Sequence, residues 1–195
     1  MKKLLLPALF AATVFISCKK NTETIAPEST GPQYVSGLQN KPYEPGTTGR
    51  VGDCLATEVD LIAGQTMVAG TVSVTNDESN IYVTYTTTGN WVLTQTHLYV
   101  GDCALIPVNN PGNPIPGQFP YSGSHSNLTS VTYTVPISAI PPGSCGCIAA
   151  HGVVKELNAN GGTIQTQTGW GNGVRINLSG GNWGMKFDYC SCIPE

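Results

Sequence analysis

The chain has 195 residues, of which only 11% are charged, and its formal net charge is −3 at pH 7. Four of the nine Lys and Arg precede residue 21, so residues 21–195 hold five basic residues against all twelve acidic ones, a net charge of −7. No basic patch remains to neutralise phosphates, which argues against nucleic acid as a partner.

The first eighteen residues have the pattern of a lipoprotein signal peptide. A basic start at residues 1–3 precedes an apolar stretch at 4–16, which is too short to span a bilayer as a helix. Phe15-Ile16-Ser17-Cys18 resembles a bacterial lipobox in the looser form of Bacteroidota lipoproteins. We therefore expect a signal peptide over 1–17 and a lipid anchor on Cys18, with an ordinary signal peptide as the alternative. Lys19 stands where aspartate signals inner-membrane retention, so the resemblance implies an extracytoplasmic, outer-membrane location, in either leaflet.

Residues 18–50 are predicted to form a disordered tether behind the lipidated cysteine. From residue 21 the segment is rich in Thr, Glu, Pro, Ser, Gly and Asn, so it cannot bury enough apolar surface to offset its ordering entropy. Residues 51–195 are then a single domain of ordinary size with one core.

Alternation of apolar and polar residues dominates this domain and predicts β-strands. Val72 and Val74 alternate with threonine and serine, a polar turn follows at 76–80, and alternation resumes from Ile81, which predicts a hairpin. Residues 91–100 are apolar on both faces, as in a central strand. A helical turn is expected only at 155–159. The other candidate strands are 59–62, 131–135, 148–154, 174–178 and 183–189. Seven or eight such strands predict an all-β fold, an antiparallel β-sandwich or jelly-roll-like domain.

Six cysteines follow Cys18, and an oxidising compartment favours disulfide bonds among them. They are Cys54, Cys103, Cys145, Cys147, Cys190 and Cys192. Residues two apart on a strand point the same way, so each Cys-x-Cys pair is expected to reach another segment. We expect the two pairs to link to each other, which leaves Cys54 for Cys103. A zinc or copper site using both Cys-x-Cys pairs and His151 is the alternative, and disulfides are favoured over it, so no metal or other cofactor is expected.

No short motif orders a nucleophile, a base and an orienting group. His97 and His151 lie within predicted strands and are interpreted as half-buried, hydrogen-bonded imidazoles, while His125 is expected to be solvated in a loop. The alternative is an extracytoplasmic hydrolase that combines His97 or His151 with a carboxylate such as Asp60 or Asp102.

Two loops carry the residues most suited to ligand binding. The proline-rich loop at 109–121 offers Asn113, Gln118 and Tyr121, with Phe119 as its anchor to the core. The second loop places Trp170 between glycines and beside Asn172. An exposed indole flanked by amides is a suitable platform for the apolar face of a sugar, and the alternative is that Trp170 folds back onto the domain.

Several short strings together resemble a β domain of secreted and lipid-anchored bacterial proteins. They are Thr96-His97-Leu98-Tyr99-Val100-Gly101, Pro116-Gly117-Gln118-Phe119-Pro120-Tyr121, Ala149-Ala150-His151, Gly169-Trp170-Gly171-Asn172-Gly173 and Asn182-Trp183-Gly184-Met185. The likeness covers most of residues 65–190 and implies a β-sandwich without implying an activity. Together with the leader, it leads us to expect a noncatalytic binding or surface-structural lipoprotein. Its partners would be the membrane, through the anchor, and a polysaccharide or a surface protein, with glycan the favoured ligand.

Overall fold

The computed structural model describes residues 35–36 and 56–192. The predictions for the signal peptide, Cys18, Cys54 and most of the tether lie outside these residues. Eleven strands follow in the described chain: β1 (Val35–Ser36), β2 (Thr57–Ala63), β3 (Met67–Asn76), β4 (Asn80–Thr87), β5 (Trp91–Gly101), β6 (Tyr121–Leu128), β7 (Ser130–Pro136), β8 (Cys145–Leu157), β9 (Thr163–Gly171), β10 (Val174–Arg175) and β11 (Met185–Cys190). Three short 3-10 helices occupy Cys103–Leu105, Pro116–Gln118 and Ile137–Ala139. No helix in this part of the chain is both long and apolar enough to cross a membrane.

β3 and β4 form the hairpin that the alternation predicts. Val72 and Val74 point into the core, and the ladder runs to the pair Asn76 and Ile81. Asp77 closes the turn, because its Oδ1 accepts hydrogen bonds from the backbone N–H groups of Ser79 and Asn80 at 2.8 and 2.7 Å.

The all-β, antiparallel fold is confirmed. Eight strands lie in the order β6–β5–β8–β9–β2–β3–β4–β7, and every pair in this series is antiparallel. β6 and β7 follow each other in the chain, so the sheet nearly closes on itself like a barrel. β11 pairs with the first residues of β8, and β10 borders β11. β1 lies inside the segment predicted as a tether. It pairs in parallel with β2 over two residues.

Three strands were not predicted, namely β1, β6 and β9, and two predicted elements differ. β6 and β9 contain serine, threonine, glutamine and glycine in place of an apolar stripe, and their neighbours supply the backbone hydrogen bonds that make them strands. The predicted strand at 174–178 is reduced to Val174–Arg175. The predicted helical turn at 155–159 is wrong. β8 continues to Leu157, and a turn then connects it to β9, with which it pairs.

The central strands bury residues on both faces. The inward face packs into the main core, whose largest fully buried side chains include Tyr85, Leu61 and Ile148. The outward face carries a smaller group that we call the outer cluster. Its buried members are Tyr99, Ile106, Phe119, Cys147, Ala149 and Trp170. The loops after β5 and β9 cover this cluster and contribute Ile106, Phe119 and the partly buried Ile176 and Trp183.

Two disulfide bonds are described, and one corrects a prediction. Cys145 bonds to Cys190 directly opposite it on β11, which confirms the expected link to the C-terminal end. Cys103 bonds to Cys147 and not to Cys54. The reason is the register of β5 and β8, which places Gly101 opposite Cys147 and brings Cys103 to within 4.9 Å of it, Cα to Cα. Cys192 is also disulfide-bonded.

Candidate functional site

His97 and His151 meet on the outward face of the sheet. β5 and β8 place the two residues directly opposite each other, although 54 residues separate them in the chain. Their Nδ1 atoms are 3.3 Å apart, and the ring centroids are 5.4 Å apart at an interplanar angle of 45°. One ring donates to the other, and which nitrogen carries the proton depends on the tautomers. No other hydrogen-bond partner of either ring occurs in the described residues.

Trp170, on the neighbouring strand β9, packs against this histidine pair. It lies opposite His151 in the β8–β9 ladder, and the two rings meet edge to face with centroids 4.8 Å apart. The Phe119 ring also meets the indole edge to face, with centroids 6.2 Å apart, which confirms that Phe119 anchors its loop. Trp170 is only 4% exposed. The expectation of a bare indole platform is therefore wrong, and the ring folds back onto the outer cluster.

Burial sets the protonation of the pair. Burial, with a smaller contribution from the neighbouring His97, lowers the pKa of His151 from 6.5 to about 4. Burial also lowers the pKa of His97. Both rings are therefore neutral at pH 7, and each can donate from one nitrogen and accept at the other.

A polar groove of about 310 Å³ opens beside His97. It is built from two cross-strand pairs, since β6 places Ser122 opposite His97 and Ser124 opposite Gln95, with Gly123 between them. The side chains of Gln95, Ser122 and Ser124 have no hydrogen-bond partner within the described chain, so their polar groups are directed to solvent. Sequence reasoning missed this groove because β6 was not recognised as a strand.

The carboxylates of the hydrolase alternative do not join the histidines. Asp102 is exposed and caps the 3-10 helix after β5, accepting a hydrogen bond from the Ala104 backbone N–H at 2.9 Å. Asp60 is exposed on β2, and its backbone carbonyl accepts from the Asn172 N–H at 2.7 Å. Throughout the described residues, no hydrogen bond or ion pair links either carboxylate to His97 or His151. Within the described part of the chain, the histidine pair has no acidic partner.

The predicted ligand-binding residues do not converge on one site. Asn113 Oδ1 accepts hydrogen bonds from Asn177 Nδ2 and the Asn182 N–H, each at 3.0 Å, so it holds the two covering loops together. Gln118 and Asn172 are exposed in separate loops. Tyr121 packs against the main core on the inward face, with its ring 6.3 Å from that of Tyr133.

His125 lies on β6 in a half-buried chain of hydrogen bonds, so the prediction of a solvated loop residue is wrong. Its Nε2 is 2.7 Å from Thr96 Oγ1, which is itself 2.6 Å from the Tyr133 hydroxyl. Thr96 is fully buried, and the two hydrogen bonds link β5 to β6 and to β7. The alternation of Tyr121, Gly123 and His125 is the signal that could have placed His125 inward.

The described residues also contain a group of potential metal ligands at Cys103, Cys147 and Asp188, whose ligand atoms lie within 4.8 Å of one another. The two sulfurs are joined in a disulfide bond, and thiolates are what metals bind. Lys186 Nζ lies 2.9 Å from Cys147 Sγ and adds a positive charge. The group therefore does not suit a metal ion in the oxidised protein.

Comparisons with protein-family models, curated proteins and solved structures found no match to this chain.

Proposed function

We propose that this protein is a noncatalytic, outer-membrane-anchored lipoprotein that binds a hydroxyl-rich ligand, with glycan the favoured class, in the groove formed by β5 and β6. The observation that carries the proposal is that Gln95, Ser122 and Ser124 line this groove with polar groups that have no hydrogen-bond partner among the residues the structure describes.

The groove offers the groups that sugar hydroxyls require. Gln95 provides an amide that both donates and accepts, and Ser122 and Ser124 provide hydroxyls that do the same. The neutral imidazole of His97 also lines the groove and adds a further polar ring to it. All four side chains project from paired strands, so the backbone positions that carry them are set before a ligand binds.

The proposed location rests on the leader and on cysteine usage. The signal-peptide pattern and the lipobox support export and lipidation at Cys18. The disulfide bonds Cys103–Cys147 and Cys145–Cys190 are typical of an oxidising, extracytoplasmic compartment.

Binding of the full chain to a panel of soluble polysaccharides tests the proposed ligand class. We expect Gln95→Ala to weaken binding by about tenfold, the effect of losing one or two net hydrogen bonds. Gln118→Ala is the matched control, because Gln118 is an exposed glutamine outside the groove. Loss of binding in the control alone would move the site to the 109–121 loop, and no binding across the panel would refute the glycan proposal.

Membrane fractionation tests the anchor separately. We expect the wild-type chain to partition with outer membranes and Cys18→Ala to be released in soluble form, since the acyl chains provide the hydrophobic attachment. Equal fractionation of the two proteins would refute lipid anchoring at this cysteine.

A further inference from the structure

We propose that His97 and His151 together bind one divalent transition-metal ion, of the zinc and copper class, through their Nδ1 atoms. This inference goes beyond the proposed ligand groove and is tested without any glycan.

The distance between the two nitrogens suits a shared metal ion. Two imidazole nitrogens at 2.0–2.1 Å from a tetrahedral metal lie about 3.3–3.4 Å apart. The Nδ1 atoms of His97 and His151 are 3.3 Å apart before any ion is added. Metal binding requires the donor ring to move its Nδ1 proton to its own Nε2 by exchange with solvent. Both neutral rings then present an unprotonated Nδ1 as a ligand to the same ion.

The surroundings hold the two rings in place. Both residues lie on central, directly paired strands, and Trp170 packs against His151 edge to face. Because neither ring has another hydrogen-bond partner within the described residues, a metal ion displaces only their mutual bond. His151 is buried and uncharged at neutral pH, which is the form that binds metals.

The ligand chemistry selects the class of metal. Neutral imidazole suits zinc, copper and nickel, whereas calcium and magnesium require oxygen ligands and usually carboxylates. No described carboxylate is hydrogen-bonded or ion-paired to either ring. Two protein ligands leave further coordination positions, which water can occupy because His97 is half-exposed.

Metal titration of the full, oxidised chain tests the proposal. The protein is stripped with a chelator, and Zn²⁺ is titrated in competition with a chromophoric chelator. We expect one ion per chain in the wild type and no stoichiometric binding in His97→Gln or His151→Gln. His125→Gln is the matched control, since His125 is bonded to Thr96 at 2.7 Å and lies on the inward face. Glutamine retains hydrogen-bonding capacity at all three positions. We expect His125→Gln to bind one Zn²⁺ per chain, as the wild type does.

Unchanged binding in His97→Gln, or absence of binding in the wild type, would overturn the proposal. Loss of binding in His125→Gln alone would do the same by moving the site elsewhere. If His151→Gln does not fold, the half-exposed His97 still provides the decisive variant.

Fluorescence with Cu²⁺ gives a second, positional readout. Cu²⁺ bound between the histidines would quench Trp170, whose ring centroid is 4.8 Å from that of His151. Trp183 packs against the same outer cluster, so both tryptophans are replaced. We expect Trp170→Phe/Trp183→Phe to lose most of the quenching while it still binds one Cu²⁺ by competition titration. Undiminished quenching in this variant would place the ion near Trp91 and overturn the assignment.

Discussion

The Tyr189 hydroxyl donates a buried hydrogen bond of 2.7 Å to Asn76 Oδ1, across 113 residues of sequence. The same oxygen accepts from the Cys192 N–H at 3.1 Å, and Asn76 Nδ2 donates to the Cys192 carbonyl at 2.8 Å. The side-chain amide of Asn76, at the end of β3, therefore provides hydrogen-bond partners both for the Tyr189 hydroxyl on β11 and for the Cys192 backbone after it. This contact ties the C-terminal segment to the β3–β4 hairpin.

Asn76→Leu is expected to lower the free energy of unfolding by about 2–4 kcal/mol. The substitution leaves the Tyr189 hydroxyl and the Cys192 backbone groups without their partner, and each unsatisfied buried group costs roughly 1–3 kcal/mol. Urea denaturation measures the change. Asn110→Leu, at an exposed loop position, should change stability by less than about 0.5 kcal/mol. Equal stability of the two variants would contradict this role of Asn76.

The metal-free protein is expected to lose stability as the pH falls from about 6.5 towards 4. The pKa of His151 is lowered by burial to about 4 in the folded chain and returns to 6.5 on unfolding. Between these values the unfolded state binds a proton that the folded state does not, so stability rises with pH and falls with acid. The full shift corresponds to roughly 3 kcal/mol.

Urea denaturation at several pH values in the presence of EDTA measures this effect. Other groups titrate in the same range, so the informative quantity is the difference between the wild type and His151→Gln. We expect the variant to lose less stability on acidification. Parallel curves for the two proteins would show that His151 is not buried in its neutral form.

Removal of the Cys145–Cys190 disulfide by alanine at both positions is expected to lower stability by about 3–4 kcal/mol. The bond closes a loop across 45 residues and so restricts the unfolded chain. Non-reducing peptide mapping of the wild type should show the linked pairs Cys145–Cys190 and Cys103–Cys147. A peptide that links Cys103 to Cys54 would contradict the pairing.

Gly70→Ala is expected to destabilise the domain by more than about 2 kcal/mol, through overpacking in the β3–β4 ladder. A Cβ at Gly70 would overlap the Thr86 carbonyl oxygen on the paired strand. Gly117→Ala is the control, because a Cβ there meets no atom within 4 Å. Thermal unfolding of both variants, followed by circular dichroism, should show a lower midpoint for Gly70→Ala alone.

The parts of the fold that sequence predicted depend on local patterns. The β3–β4 hairpin follows from alternation around the Asp77 turn, and β5 follows from an apolar run of strand length. β6 and β9 lack that pattern, so only their neighbours reveal them. The polar outward residues of β6, Ser122 and Ser124, line the groove that sequence reasoning missed.

The all-β character of this domain could be predicted from the amino-acid sequence, because strand periodicity is a property of adjacent residues. Only the folded domain shows that His97 faces His151, that Cys103 pairs with Cys147, and that Trp170 is buried. Each of these depends on which strands become neighbours and in what register. That choice is made by the collective burial of the core and the closure of the sheet, and the spacing of residues along the chain does not encode it locally.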